Sequence, residues 1–219
     1  LLLALLCGCT QGSRHFTMQQ VQEHLEWAYP GQAVHVEKKG WGSGWRCWFE
    51  DLPEAEFQVY VGRQGGDPVP VWHYVLRNDG QNAVWTYYLD AYRAEGGSLD
   101  AWTFEEGKWD NDTYLSVAYE TMETARQAAG QLDSFFRWAE GRPHTDLLGT
   151  GGYDLYMETG LPWKTDRTWE QRICSQGIGD SLEEVLAQCA EPLLAYHAYY
   201  RLPTDDFTQE ELDAFAEEA

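Results

Sequence analysis

Apolar positions change their spacing twice along the chain. Thr17-Met18-Gln19-Gln20 has the form of a capping box, and Met18, Val21, Leu25 and Ala28 then share one helical face until Pro30-Gly31 ends the run. The period then falls to two. Val34 and Val36 alternate with polar residues, as do Phe57, Val59 and Val61, and Trp45 to Glu50 reads as a further strand. Val69 to Leu76 and Ala83 to Tyr92 are rich in Val, Trp and Tyr, and Asn78-Asp79-Gly80 between them reads as a hairpin turn. Helical spacing returns from Thr121 to Ala139, with Met122, Ala125, Ala129, Leu132 and Phe136 on one face before Gly141-Arg142-Pro143. Two strands, Tyr153 to Glu158 and Thr168 to Cys174, are expected next. A second capping box, Ser181-Leu182-Glu183-Glu184, opens a helix bearing Val185, Leu186 and Cys189, which Pro192 is expected to kink or restart before Tyr196 and Tyr200. Thr208-Gln209-Glu210-Glu211 opens a short terminal helix.

This order predicts an α+β fold: a helix packed on an antiparallel meander sheet of about five strands over residues 17–112, followed by a second, smaller helix-rich α+β part over residues 113–219. Glu95 to Ser98 and Gly107 to Asp112 read as loops near the junction, and no Pro-rich or Ser-rich linker separates the halves.

The first nine residues, Leu1-Leu2-Leu3-Ala4-Leu5-Leu6-Cys7-Gly8-Cys9, form an uncharged apolar run. It is shorter than the roughly 20 residues that span a bilayer, and it fits the hydrophobic part of a secretory signal. Its ending, Leu6-Cys7-Gly8-Cys9, resembles the lipobox of bacterial lipoproteins of the Gram-positive type. The resemblance implies that residues 1–8 are the remnant of a signal peptide truncated at its start. Cys9 is then the lipidated first residue of the mature chain, and residues 9–16 are a tether. The protein is accordingly expected on the extracellular face of the cell membrane, held by its lipid. The helix ending near Tyr29-Pro30-Gly31, the strand Val34 to Glu37, and then Trp48-Phe49-Glu50-Asp51 and Phe57-Gln58-Val59 resemble the helix-plus-meander modules of the PepSY-like and cystatin-like groups. Those groups are mostly binding or inhibitory modules, so the resemblance implies a non-enzyme and transfers no site.

Charge narrows the partners. With 15 Lys and Arg against 36 Asp and Glu, the net charge of −21 opposes nucleic acid and anionic lipid surfaces. Beyond the signal and Cys9, the cysteines are Cys47, Cys174 and Cys189. Cys174 and Cys189 flank a turn and could pair in an oxidising compartment; alternatively Cys189, on the apolar face of its helix, packs as a free thiol. Their spacing suggests no zinc site, and no cofactor is expected.

Motifs for catalysis do not emerge. Gly40-Trp41-Gly42-Ser43-Gly44 sets its serine one place too late for a nucleophile elbow and reads as a hairpin tip. Asp110-Asn111-Asp112 opens like a calcium loop, but Tyr114 occupies a ligand position and the sixth-position glycine is missing, so a polar turn is expected. The six histidines are scattered. The 11 Trp, 13 Tyr and 8 Phe must mostly build core, and the surplus directs attention to Trp41, Trp45 and Trp48. Exposed there, they would stack on sugar rings or apolar peptide side chains; alternatively Trp45 or Trp48 packs into the sheet while Trp41 covers its edge. The expectation is a lipid-anchored extracytoplasmic binding or interaction protein without catalysis, taking an unknown peptide, protein or glycan ligand. Its alternatives are a cell-surface hydrolase using paired carboxylates and a glycan-binding lipoprotein using exposed tryptophans.

Overall fold

A computed structural model of the chain describes residues 15–39, 44–64, 73–106, 113–149, 153–161 and 181–218. The fold is a mixed α+β one. The chain divides into two compact units, Leu1–Ala83 and Val84–Ala219.

In the first unit, α1 (Met18–Ala28) begins at the capping box read from the sequence: Thr17 accepts from the Gln20 amide, and the Gln20 side chain accepts from the Thr17 amide. Four antiparallel strands follow in chain order, β1 (Val34–Lys38), β2 (Trp45–Phe49), β3 (Leu52–Gln64) and β4 (His73–Asn78). A two-residue turn, Glu50-Asp51, joins β2 to β3, and Phe49 pairs with Leu52. Beyond that pair the register shifts, with Pro53 and Glu54 exposed and Cys47 paired to Phe57. The irregularity lets Leu52, Ala55, Phe57 and Val59 all face inward although they do not keep one alternation. It also accommodates a proline that a central ladder would reject. The apolar face of α1 supplies Val21, Leu25 and Tyr29 to this core. The Tyr29 ring meets Phe49 edge-on at 5.1 Å and Phe57 at 5.8 Å.

The first sheet has four strands rather than about five, because one expected strand is a helix. Ala83 to Tyr92 is not a strand but most of α2 (Gly80–Ala94), and Asn78-Asp79-Gly80 leads into that helix rather than turning a hairpin. Composition favoured a strand, but burial decides: Val84, Trp85, Tyr88, Leu89 and Tyr92 are the inward positions, and their spacing is helical.

In the second unit, β5 (Thr103–Glu106) pairs antiparallel with β6 (Thr113–Tyr119), and β6 pairs in parallel with β7 (Tyr153–Thr159). Sequence reading had identified only β7 of these three. A parallel pair needs a crossover, supplied by α3 (Met122–Ala139). Its inward stripe of Ala125, Ala128, Ala129, Leu132, Phe135, Phe136 and Ala139 packs an aromatic cluster with α2, in which Trp85 stacks on Phe135 at 5.6 Å. Next, α4 (Leu182–Tyr200) starts at the Ser181–Glu184 capping box and continues through Pro192, which is buried and neither ends nor restarts the helix. Finally α5 (Gln209–Glu218) packs on α4, and Asp206 from the intervening loop accepts from the Met122 amide at 3.0 Å, capping α3. The strand expected at Thr168 to Cys174 lies outside the described residues.

Phe135 is fully buried, whereas Trp27 on α1 is 80 % exposed. Phe135→Ala is therefore expected to cost about 3–5 kcal/mol in urea unfolding. Trp27→Ala should stay within about 0.5 kcal/mol of the parent in the same measurement.

Candidate functional site

Strand β2 sorts its side chains by a period of two. Trp45, Cys47 and Phe49 point into the core, and Arg46 and Trp48 point to the opposite, outer face of the sheet. Register then chooses their neighbours. His35 lies directly across from Trp48 and stacks on it, with ring centroids 5.5 Å apart and planes 12° from parallel. The Arg46 guanidinium sits 5.4 Å from the centre of the Trp48 ring. It bonds Glu56 on β3 and lies 3.5 Å from Glu37 on β1. One strand further, the Arg77 side chain lies across Gly62, where a Cβ would come within 2.8 Å of its Cδ and Nε. The missing side chain makes the bed for that guanidinium, whose Nη2 donates to the Arg63 carbonyl at 3.4 Å.

Electrostatics here orient more than they stabilise. The Arg46, Glu37 and Glu56 side chains are 40–61 % exposed, a setting in which ion pairs contribute little. The hydrogen bond from Arg46 nevertheless holds the Glu56 carboxyl below the usual carboxylate range, and Lys39 adds to the effect. Glu56 reciprocally raises the Arg46 guanidinium. The result is an indole stacked on an imidazole and lying beside a positioned guanidinium on the exposed face of the sheet. Charge is also uneven along the chain: Leu1–Ala83 contains 9 acidic and 6 basic residues, Val84–Ala219 27 and 9. A weakly anionic ligand therefore meets less repulsion in the first unit than in the second.

Of the residues singled out from the sequence, Trp48 is half-buried within this cluster and Trp45 is 5 % exposed in the core. Three residues apart on one strand, the two cannot share a surface. Trp41, Cys9 and Cys174 lie outside the described residues, as do Asp110, Asn111 and Asp112. Cys189 is a buried free thiol, its Sγ 3.9 Å from the Met157 sulfur. Burial pushes the Cys189 thiol up to about 11 and the Cys47 thiol up to about 12. Sequence reasoning missed His35, Arg46 and Glu56. The alternation Val34-His35-Val36-Glu37 marks His35 and Glu37 as outward, but only register shows what they meet. It also passed over Trp27, which stands off the Val21–Leu25 stripe beside Glu23 and Glu26. Among the described residues, no three His, Cys, Asp or Glu side chains are grouped to hold a metal ion, and no helix is long and apolar enough to cross a membrane.

Comparison of the chain with models of known protein families, with curated proteins and with solved structures returned no match.

Two outcomes follow from this geometry. In a carbon-detected NMR titration, Arg46→Met should move the Glu56 midpoint upward toward 4.5, because the hydrogen bond that stabilises the anion is gone. Site-resolved alkylation should leave Cys47 and Cys189 unmodified in the folded protein at neutral pH and label both in denaturant, since each is inaccessible and protonated.

Proposed function

We propose that the chain is a lipid-anchored extracytoplasmic binding or interaction protein without catalysis, tethered to the cell membrane through Cys9. Its ligand is a peptide, protein or glycan rather than a nucleic acid. The observation that carries the binding part of this reading is the outer sheet face, where Trp48, His35 and Arg46 are held in fixed relation by cross-strand pairs. Stacking on planar or sugar surfaces and charge-assisted hydrogen bonding are what such a set offers. Pre-ordering of the guanidinium by Glu56 and Glu37 lowers the side-chain entropy lost when a ligand is engaged.

The same geometry weighs against hydrolysis at this face. A glycosidase acid needs a carboxyl whose pKa is raised, and Glu56 is shifted the other way. At neutral pH it accepts hydrogen bonds and has no proton to give.

Detergent-phase partitioning of the precursor expressed in a bacterial host tests the anchor. The native chain should enter the detergent phase and gain the mass of a diacylglyceryl group, and Cys9→Ala should do neither. Both forms remaining in the aqueous phase would remove the membrane assignment. For binding, tryptophan fluorescence is followed while soluble cell-wall glycans and anionic or apolar peptides are titrated. A saturable change that Trp48→Ala weakens at least about tenfold, or about 1.4 kcal/mol, is expected. A change that Trp48→Ala leaves intact would place the ligand elsewhere.

A further inference from the structure

A chain of hydrogen bonds runs through the first unit from α1 to the start of α2. The Tyr29 hydroxyl donates to Asn78 Oδ1, and the Gly80 backbone N–H donates to the same oxygen at 3.2 Å. The Asn78 Nδ2 lies 3.1 Å from His24 Nε2. Elementary donor counting fixes every proton in the chain. A backbone N–H can only donate, so the amide oxygen faces Gly80 and the NH2 faces His24. An NH2 also only donates, so His24 Nε2 accepts. The imidazole is therefore neutral and carries its proton on Nδ1.

We propose that His24, Asn78 and Tyr29 form a proton-operated latch on the first turn of α2: protonation of His24 turns the Asn78 amide over and withdraws the acceptor from the Gly80 N–H. Charged His24 sets a donor against a donor at Asn78. Rotation of the amide offers Oδ1 to the imidazolium, and the Tyr29 oxygen can accept from the NH2 that takes its place. The Tyr29 O–H and the Gly80 N–H both lose Oδ1 as their acceptor, and the Gly80 N–H keeps only the Tyr29 oxygen nearby. The cost thus falls on the two bonds to Oδ1, at the entry to α2. Gly80 is also built into the latch sterically, since a Cβ there would collide with the Tyr29 hydroxyl.

The ionisable groups around the latch come from three elements. Glu23 and Glu26 stand on α1 beside His24, the Cys47 thiol comes from β2, and the Asp79 carboxylate stands between β4 and α2, where it accepts from the Gln58 amide at 2.6 Å. Burial is what moves His24, lowering it from 6.5. Burial first, and then Asp79, pushes the Tyr29 hydroxyl well above its usual range, so it keeps its proton. The sign follows. A histidine whose folded pKa lies below its unfolded value stabilises the fold fully above about pH 6.5 and loses that contribution as pH falls through the folded value.

NMR on the full chain tests the latch. At pH 7.5 the His24 nitrogens should report the Nδ1–H tautomer. As pH falls, the protection of the Gly80 amide, corrected for intrinsic exchange, should drop about tenfold with the midpoint of His24, as expected for one lost hydrogen bond. His24→Gln should hold that protection level across the range. Asn78→Asp supplies a carboxylate that accepts from Tyr29, from Gly80 and from the imidazolium together, so the His24 midpoint should rise above 6.5 and the Gly80 response should vanish. An Nε2–H tautomer at pH 7.5, a Gly80 amide indifferent to the His24 midpoint, or an unmoved midpoint in Asn78→Asp would each overturn the latch.

Discussion

Burying Tyr and Trp side chains sets a recurring demand in this molecule: a ring that carries a polar atom inward is steadied where that atom meets a partner. Tyr29 meets Asn78, Tyr88 donates to the Pro143 carbonyl at 2.6 Å, and Tyr119 donates to the Cys189 carbonyl at 3.3 Å. Trp102 donates to the Ala128 carbonyl at 2.9 Å, and Trp138 donates to Glu95 at 2.7 Å. Each bond joins segments remote in sequence, so the rings position the elements as well as filling space between them. Where a partner is itself charged, the same condition builds a surface. Glu95 receives Trp138, and Arg142 closes over that indole with its guanidinium 3.8 Å from the ring centre.

The outer face of the four-stranded sheet answers to the opposite demand. Inward positions of β2 are fixed by the core, which leaves Arg46 and Trp48 outward with no choice of side. Cross-strand neighbours then determine whether those two groups are loose or held. His35 and Glu37 from β1 and Glu56 from β3 hold them, at little gain in stability because the groups are wet.

Much of the architecture was legible in the chain. Capping boxes at Thr17 and Ser181 placed two helix starts to the residue, because a hydroxyl followed three positions later by a Gln or Glu side chain satisfies two orphan amides at once. Alternation placed β1 to β3. The failure at α2 has a definite cause: Val, Trp, Thr and Tyr favour strands intrinsically, and only packing on α3 shows that positions 84, 85, 88, 89 and 92 form one buried stripe. β6 alternated visibly at Leu115, Val117 and Tyr119, but it sat beyond an acidic segment that read as loop. For the outer face, the sequence supplied Trp48 but not its companions. A contact between His35 and Trp48 depends on register, and register is a property of two strands together with the turn that joins them.

The parallel pairing of β6 with β7 has a consequence for how the chain comes together in time. The four strands of the first unit follow one another in order, each pairing with its predecessor, so that sheet can assemble from contacts close in sequence. β6 has only β5 to pair with until α3 and the turn after it have been laid down, since β7 begins 34 residues beyond the end of β6. Loop closure over that distance is slower than hairpin formation, and the open edge of β6 stays available to other chains meanwhile. The meander can therefore form as soon as its own strands are available, whereas the mixed sheet waits for its crossover to close.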